Sequence, residues 1–309
     1  MLARQLWIAN LIRLVVVALT ARWLMVGAGW SLGAASMAAL MVPLAFHALV
    51  LAAQFALART SGSPVPARFA LSRSQALRLY LEELWWSVLQ FEFIQPLLGV
   101  APLASAPSPG HSERLPVLFI HGFFCNRAVW RPMARELAAL GHVTASINLE
   151  PVFASIDDYA PLIDRAIRDL RERSGEEQVA LVCHSMGGLA ARAYLRRYGN
   201  ERVAKVITLA SPHRGTLHAR FGVARNVVQM RLDSAWLTAL AAGETAEDRR
   251  LFSVIYSHHD NIVAPQSIQT LPDAEHCELG GVAHIAMLYR RSVRALVADR
   301  LDRRRLPAS

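Results

Sequence analysis

Hydrophobic and polar positions follow two different textures along this chain. Between Trp23 and Ala58 there is no Asp, Glu, Lys or Arg, and positions 32–58 are nearly all Ala, Leu, Val, Met and Phe. About 20 such residues cross a bilayer as a helix, so 32–58 predicts a membrane span rather than a buried core helix. Pro43 and His47 fall inside it, and proline is better tolerated in a membrane helix than in a soluble one. An earlier apolar stretch at about 5–27 carries Arg13 and Arg22. A central arginine costs about 2.5–3.5 kcal/mol on insertion, which a strongly apolar neighbouring span offsets. Positions 1–60 are therefore expected to form a membrane anchor, as a hairpin turning near 27–33 or as the single later span. A cleaved signal peptide fits less well, because the apolar region is too long and no small-residue cleavage site follows a short core.

Past a Ser-Gly-Ser-Pro-Val-Pro linker at 61–66, positions 72–98 predict an amphipathic helix with Trp85, Trp86, Phe91 and Phe93. It suits either an interfacial helix among lipid head groups or a helix packed on the domain that follows. Positions 101–110 are a Pro, Ala and Ser linker, which makes 61–112 a connecting region. From 113 to 309 the texture changes to short apolar runs alternating with helical periodicity. Strands are expected at 115–121, 143–148, 178–183, 203–210 and 251–257, and helices at 128–140, 156–173, 187–198 and 285–301. That alternation predicts an α/β class domain with a parallel sheet covered on both faces. The less regular stretch 213–247 interrupts it and is a candidate cap over a site.

Composition changes this picture little. The 309 residues are 53% hydrophobic and 18% charged, and the mean hydropathy is +0.26, an excess that the N-terminal segment explains. The formal charge is +9, yet of 33 basic residues one is Lys205 and the other 32 are arginine. No interleaving of aromatic and basic residues accompanies them, so nucleic acid is not an expected partner, whereas modest attraction to anionic head groups is. Cys125, Cys183 and Cys277 are odd in number and irregular in spacing, which implies neither a disulfide framework nor a zinc site. Nothing in the sequence sets an oligomeric state.

The chemistry centres on Cys183-His184-Ser185-Met186-Gly187, where an apolar strand enters a serine and leaves as a helix. A serine on so sharp a turn projects its hydroxyl above the sheet, and small neighbours such as Gly187 let strand and helix approach. The competing reading of such a serine is a simple helix N-cap. Ser185-Met186-Gly187-Gly188 after an apolar strand resembles the lipase and esterase branch of the α/β-hydrolases, with one departure: Cys183 stands where Gly or Ala is usual. The resemblance implies an α/β-hydrolase fold and a Ser-acid-His chain order. Asp260, after the strand at 251–257, and His284, in Gly280-Gly281-Val282-Ala283-His284, match it as orienting acid and general base. Asp233 and Asp273 compete with Asp260, and His276 competes with His284, while His184 is too near Ser185 in the chain to serve as its base. A metal site from His258, His259, Asp260 and His276 is disfavoured, since adjacent strand residues point to opposite faces.

The resemblance also implies an oxyanion hole, from the N–H of Met186 and that of Phe123 in His121-Gly122-Phe123, with Gly122 permitting the turn. Leu209-Ala210-Ser211-Pro212-His213-Arg214-Gly215-Thr216 is similar to lipases as well. Together these imply a serine hydrolase acting on lipid-like acyl esters, with a thioesterase or acyltransferase on the same triad as alternative and a non-catalytic membrane scaffold as the rival from another class. No cofactor is required. Some lipases of this resemblance hold structural calcium, for which the sequence assigns no ligands. Arg59, Arg68, Arg73 and Arg78 follow the later span and Arg4, Arg13 and Arg22 precede it; a hairpin then favours a cytoplasmic catalytic domain on a bacterial inner membrane, whereas a single span leaves the two sides nearly tied.

Overall fold

A computed structural model describes residues 1–101, 103 and 114–302; most of the expected linker at 101–110 lies outside them. The first two helices, α1 (Leu2–Ala28) and α2 (Leu32–Thr60), form a hairpin. Gly29 closes α1 in the left-handed region at φ 68°, a conformation glycine adopts without penalty. Ser31 then caps α2 by accepting the N–H of Ala34. Near the turn the helices meet through Ala21, Ala35 and Ala39, small residues that allow close backbone approach. Leu2, Leu6 and Leu51 are buried too, whereas many other apolar side chains of the two helices, such as Leu11, Leu14, Leu19 and Leu49, are exposed. Both helices are long and apolar enough to cross a membrane.

The helix expected at 72–98 is α3 (Arg73–Val88), opened by a reciprocal Ser72–Gln75 capping box. It widens into a π-type turn at Leu89–Ile94 and ends as α4 (Gln95–Leu98). One side of this segment packs on the domain that follows, while Leu77, Leu81, Trp85 and Phe93 are exposed. Trp86 stacks on Tyr289 at 4.3 Å, and Glu82 pairs with Arg290. Tyr80 and Ser87 join α3 to the hairpin: the Tyr80 hydroxyl donates to the Ala48 carbonyl at 2.7 Å. Ser87 Oγ donates to the Leu84 carbonyl and lies 2.8 Å from His47 Nε2.

The rest alternates as the periodicity predicts. In chain order the elements are β1 (Val117–Ile120), α5 (Arg131–Ala139), β2 (Thr144–Ser146), α6 (Ala160–Ser174), β3 (Val179–His184), α7 (Met186–Tyr198) and β4 (Val203–Leu209). Then come three short helices, α8 (Arg225–Gln229), α9 (Ala235–Ala242) and α10 (Ala246–Arg250), followed by β5 (Phe252–Ser257), β6 (Glu275–Leu279), α11 (Ala286–Tyr289) and α12 (Arg291–Asp302). The six strands form one parallel sheet in the order β2-β1-β3-β4-β5-β6. One face packs against α6 and α7 and the other against α5, α11 and α12.

Two expectations are corrected. β6 was not anticipated: Glu275-His276-Cys277-Glu278-Leu279 is a half-exposed edge strand whose polar residues hide the strand signal. The single helix expected at 285–301 is broken at Arg290, whose backbone is extended at ψ 128°. The Arg294 guanidinium takes up the Tyr289 carbonyl at the break.

The strand order reverses beside β1, whose neighbours β2 and β3 come later in the chain. In open α/β sheets such a switch point leaves a crevice beyond the carboxyl ends of the strands. Ile120, the last residue of β1, pairs with Cys183 of β3, so the segments beginning at His121 and Ser185 emerge side by side at that crevice.

Candidate active site

Ser185 sits between β3 and α7 with φ 52° and ψ −126°. Holding a non-glycine residue there costs on the order of 1–3 kcal/mol, and surrounding packing must impose it. Two backbone hydrogen bonds do so: the Ser185 N–H donates to Leu209 O at 2.8 Å, and the Gly188 N–H donates to Ser185 O at 3.0 Å. A Cβ on Gly187 would stand 2.3 Å from Ile120 O, so only glycine lets α7 start this close to the end of β1. Cys183 is fully buried on the α6 and α7 face of the sheet, and burial raises its thiol pKa well above the ordinary value. It is therefore a protonated packing residue, and the elbow accommodates its bulk.

Asp260 follows β5 and is almost fully buried. Its Oδ1 accepts the N–H groups of Ile262 and Val263, both at 2.8 Å. His284 Nδ1 lies 3.1 and 3.0 Å from the two carboxylate oxygens. Nδ1 therefore carries the proton, which leaves Nε2 to accept one. Burial alone would lower the His284 pKa, but the Asp260 charge and hydrogen bond outweigh it and the net shift is upward. Ser185 and His284 line one cavity of about 670 Å³ together with Gly122 and Phe123. Ser185 Oγ and His284 face this cavity without a direct hydrogen bond between them.

His284 is held from four sides. Its N–H donates to Asn261 Oδ1 at 3.1 Å, and its carbonyl accepts from His184 Nε2, also at 3.1 Å. His184 is buried, and burial holds its pKa well below the usual histidine value. Neutral and donating through Nε2, it braces the main chain of His284. Beyond His284, the Glu83 carboxylate accepts the N–H of Ile285 at 2.9 Å and that of Ala286 at 2.8 Å. Glu83 comes from α3, outside the sheet, and has no solvent exposure. Burial lifts its pKa to about 7 against the opposing pull of those two N–H donors.

The loop after β1 is fixed by His121. His121 Nε2 accepts the Leu149 N–H at 3.0 Å, so Nδ1 is the protonated nitrogen and donates to Gly122 O at 2.8 Å. Burial drops its pKa to about 4, which keeps it neutral. Gly122 has no room for a side chain, because a Cβ would approach Ser185 Cβ to 2.8 Å. Among the described residues, neither the Phe123 N–H nor the Met186 N–H donates a hydrogen bond, and the Met186 N–H opens α7 at its positive dipole end.

The competing residues lie elsewhere. Asp233 pairs with Arg214, and Asp273 with Arg249. His276 Nε2 accepts the Leu271 N–H, His258 pairs with Glu278, and His259 Nδ1 accepts the Gly281 N–H. Among the described residues no three His, Cys, Asp or Glu side chains form a metal-binding group. The stretch 213–247 contributes nothing to the wall of this cavity, which is completed by α1, α2 and the π-type turn after α3. Sequence reasoning missed Glu83, Asn261 and the bracing role of His184. For Glu83 a signal existed: Leu79, Glu83 and Ser87 recur every four residues as the buried stripe of α3, and a carboxylate in such a stripe requires buried donors.

The family described as alpha/beta hydrolase fold matches residues 116–261. Rat lysosomal thioesterase PPT2 is 29% identical over 136 residues, 42% of this chain and 43% of that protein. A triacylglycerol lipase of Burkholderia plantarii is 28% identical over 165 residues, 48% and 44% respectively. The chain thus spans less than half the length of these relatives. Among solved structures, the mature Bacillus licheniformis lipase BlEst2 superposes with a TM-score of 0.57 at 17% identity, covering 64% of this chain and 96% of that one. Aspergillus fumigatus lipase B gives 0.53 at 19% identity, covering 69% and 61%.

Proposed function

We propose that the protein is an α/β-hydrolase of the lipase or esterase type, which cleaves carboxylic esters through Ser185. The observation that carries this reading is the Asp260–His284 hydrogen bond at 3.0 Å, whose histidine lines the same cavity as the strained Ser185. His284 Nε2 takes the Ser185 hydroxyl proton while Oγ bonds to the ester carbonyl carbon. The carbonyl oxygen becomes an oxyanion facing the N–H groups of Phe123 and Met186. As the oxyanion collapses, the bond to the alcohol oxygen breaks and His284 returns the proton to the leaving alcohol. A water then gives its proton to His284 and attacks the acyl-enzyme, which releases the acid and restores Ser185. Asp260 orients the imidazole and stabilises the transient imidazolium without taking its proton.

The hairpin of α1 and α2 anchors this domain to a membrane, with the domain on the cytoplasmic side. Support comes from the length and apolarity of both helices and from their exposed apolar side chains. Further support is the docking of α2 by specific polar contacts, from Asn261 to Gln54 and from Gln266 to the Ala58 carbonyl, which a segment destined for removal would not need. A bilayer position and an apolar cavity favour lipid-like acyl esters. The likeness to rat lysosomal thioesterase PPT2 favours a thioester as the second reading, since the same steps serve a thiol leaving group.

A serine-reactive fluorophosphonate tests the core of the proposal. It should label the wild-type protein and spare Ser185→Ala; equal labelling of both, or of neither, overturns it. Among labelled preparations, an alcohol or amine acceptor that outcompetes water would make the enzyme an acyltransferase.

A further inference from the structure

The cavity that holds Ser185 and His284 is only half built by the hydrolase domain. Its other wall is the hairpin: Ile12 and Val16 of α1, and Val42, Phe46 and Val50 of α2. The α2 contribution is ordered. Val42, Phe46, Val50 and Gln54 are spaced by four, so they share one helix face. Gln54 accepts a hydrogen bond from Asn261, the residue that holds the His284 N–H. This face therefore starts beside the catalytic histidine and runs away from it, and the 12 residues from Gln54 back to Val42 span about 18 Å at the rise of an α-helix.

The same positions fall within the membrane-crossing portion of the hairpin. A hydrocarbon layer takes about 20 residues of each helix. Counted from the turn at 29–31, that reaches back to about position 10 and forward to about position 50. Ile12, Val16, Val42 and Phe46 lie inside this interval. Ile12 and Phe46 are 58% and 69% exposed, so the far end of the cavity is not sealed. The one charge on the hairpin wall, Arg13, is paired with Glu92 and accepted by Asn10 Oδ1. The wall is thus matched to an uncharged chain rather than to an anionic head group.

We infer that the α2 face Val42–Phe46–Val50, with Ile12 and Val16 opposite, is the acyl-chain subsite. The substrate class is a long-chain acyl ester resident in the bilayer, which enters sideways between the helices and brings its carbonyl to Ser185. The inference rests on Ser185 being the nucleophile and adds to it where the acyl chain lies and from which phase it comes. Position along α2 becomes a ruler: Val50 meets the first carbons of the chain, Val42 the last.

The test uses the full chain, with active protein counted by fluorophosphonate labelling and kcat/KM read for p-nitrophenyl esters from acetate to palmitate. In the wild type, kcat/KM should rise with chain length, by up to about fourfold for each methylene placed against the wall. Val50→Trp should impose a cut-off at short chains, with the palmitate-to-acetate ratio falling at least tenfold. Val42→Trp should lower only the longest chains, and Val50→Ala, which cannot overpack, should move the preference to longer ones. Leu49→Trp adds the same bulk to an exposed neighbour outside the cavity and should leave the profile unchanged. Labelling with an unmoved profile in the three wall variants, or an equal shift in Leu49→Trp, overturns the subsite while Ser185 stands. Absence of labelling in the wild type overturns the nucleophile itself. In phosphatidylcholine vesicles, p-nitrophenyl palmitate should be hydrolysed at least tenfold faster when co-resident with the protein than when supplied in separate vesicles. Equal rates overturn entry from the bilayer.

Discussion

Glu83 accepts the backbone N–H of Ile285, at 2.9 Å, immediately beyond His284 in the chain. The contact joins a helix outside the sheet to the loop that carries His284, the proposed general base. With the Ala286 N–H at 2.8 Å it satisfies two amides that open the short helix α11, which would otherwise be buried donors without partners. The carboxylate also acts at a distance, since its charge raises the pKa of the His284 imidazole.

Glu83→Gln should therefore change the pH profile as well as the rate. The base works only when neutral, so kcat/KM climbs with rising pH as His284 loses its proton, at a value above that of an ordinary histidine. Removing the Glu83 charge lowers that pKa, and the acid limb moves to lower pH. Each N–H is held by a different carboxylate oxygen and an amide places a donor at one of those positions, so kcat should fall about 10- to 100-fold with little change in KM. A variant whose kcat falls while its acid limb stays in place would restrict Glu83 to packing.

The same residue makes stability depend on pH. Its carboxyl has a pKa of about 7 when folded, against 4.5 ordinarily. Between those values the native state binds the proton more tightly than the unfolded chain does, so stability falls as pH rises. The loss is complete above the folded pKa and amounts to something on the order of 3 kcal/mol. The apparent melting temperature of the full chain should accordingly drop between pH 5 and pH 8. Glu83→Gln should flatten that part of the curve, and an equally steep decline in the variant would assign the slope to other groups.

Much of this arrangement was legible in the residues because it is local. The apolar run into Ser185, the strand-and-helix alternation, and the late positions of Asp260 and His284 are each carried by a few consecutive residues. Glu83, His184 and Asn261 escaped notice because their roles exist only across the fold. Glu83 and Ile285 are 202 positions apart, and no periodicity announces which buried carboxylate meets which amide. The irregular pattern of 213–247 suggests a cap there, whereas the wall opposite Ser185 is the apolar hairpin. A span and a pocket wall share one composition, so only the packing of α2 beside Asn261 shows that the hairpin is a wall as well. β6 was hidden for another reason, since an edge strand needs no continuous apolar run.

Substitution of Gly187 should disable the elbow. A Cβ there would sit 2.3 Å from Ile120 O and 2.8 Å from His121 O, both backbone atoms with little freedom to move. Gly187→Ala must separate α7 from the end of β1 and carry the Met186 N–H away from that of Phe123. Expected effects are a loss of about 1–3 kcal/mol in stability and at least about 100-fold in kcat. Fluorophosphonate labelling rates and thermal melts measure the two; a rate within twofold of wild type would mean the elbow does not depend on this contact.

Cys183→Ala tests the departure from the usual motif. The thiol is buried among side chains on the α6 and α7 face and is held protonated, so its contribution is volume. Activity should remain within about twofold, while stability drops by about 1–2 kcal/mol for the small cavity created. A large loss of turnover with an unchanged melt would give the thiol a part in the chemistry.

Arg192 and Glu244 decide how firmly the segment after β4 is seated. Arg192, on the elbow helix α7, is 1% exposed at its side chain and Glu244 is 5% exposed. Two contacts at 2.6 and 2.8 Å make the pair bidentate, and Arg192 Nη1 also donates to His213 O at 2.7 Å. A guanidinium at this depth cannot shed its charge, so removing its partner leaves it buried and uncompensated. Glu244→Ala should cost about 3–5 kcal/mol, whereas replacing both residues with apolar ones of similar volume should cost far less. Because neither side chain borders the cavity of Ser185, the fraction that stays folded should keep the wild-type fluorophosphonate rate. Thermal melts of the single variant Glu244→Ala and the double variant Arg192→Met, Glu244→Leu separate the cases, and equal destabilisation in both would show that the cost is packing rather than an orphaned charge.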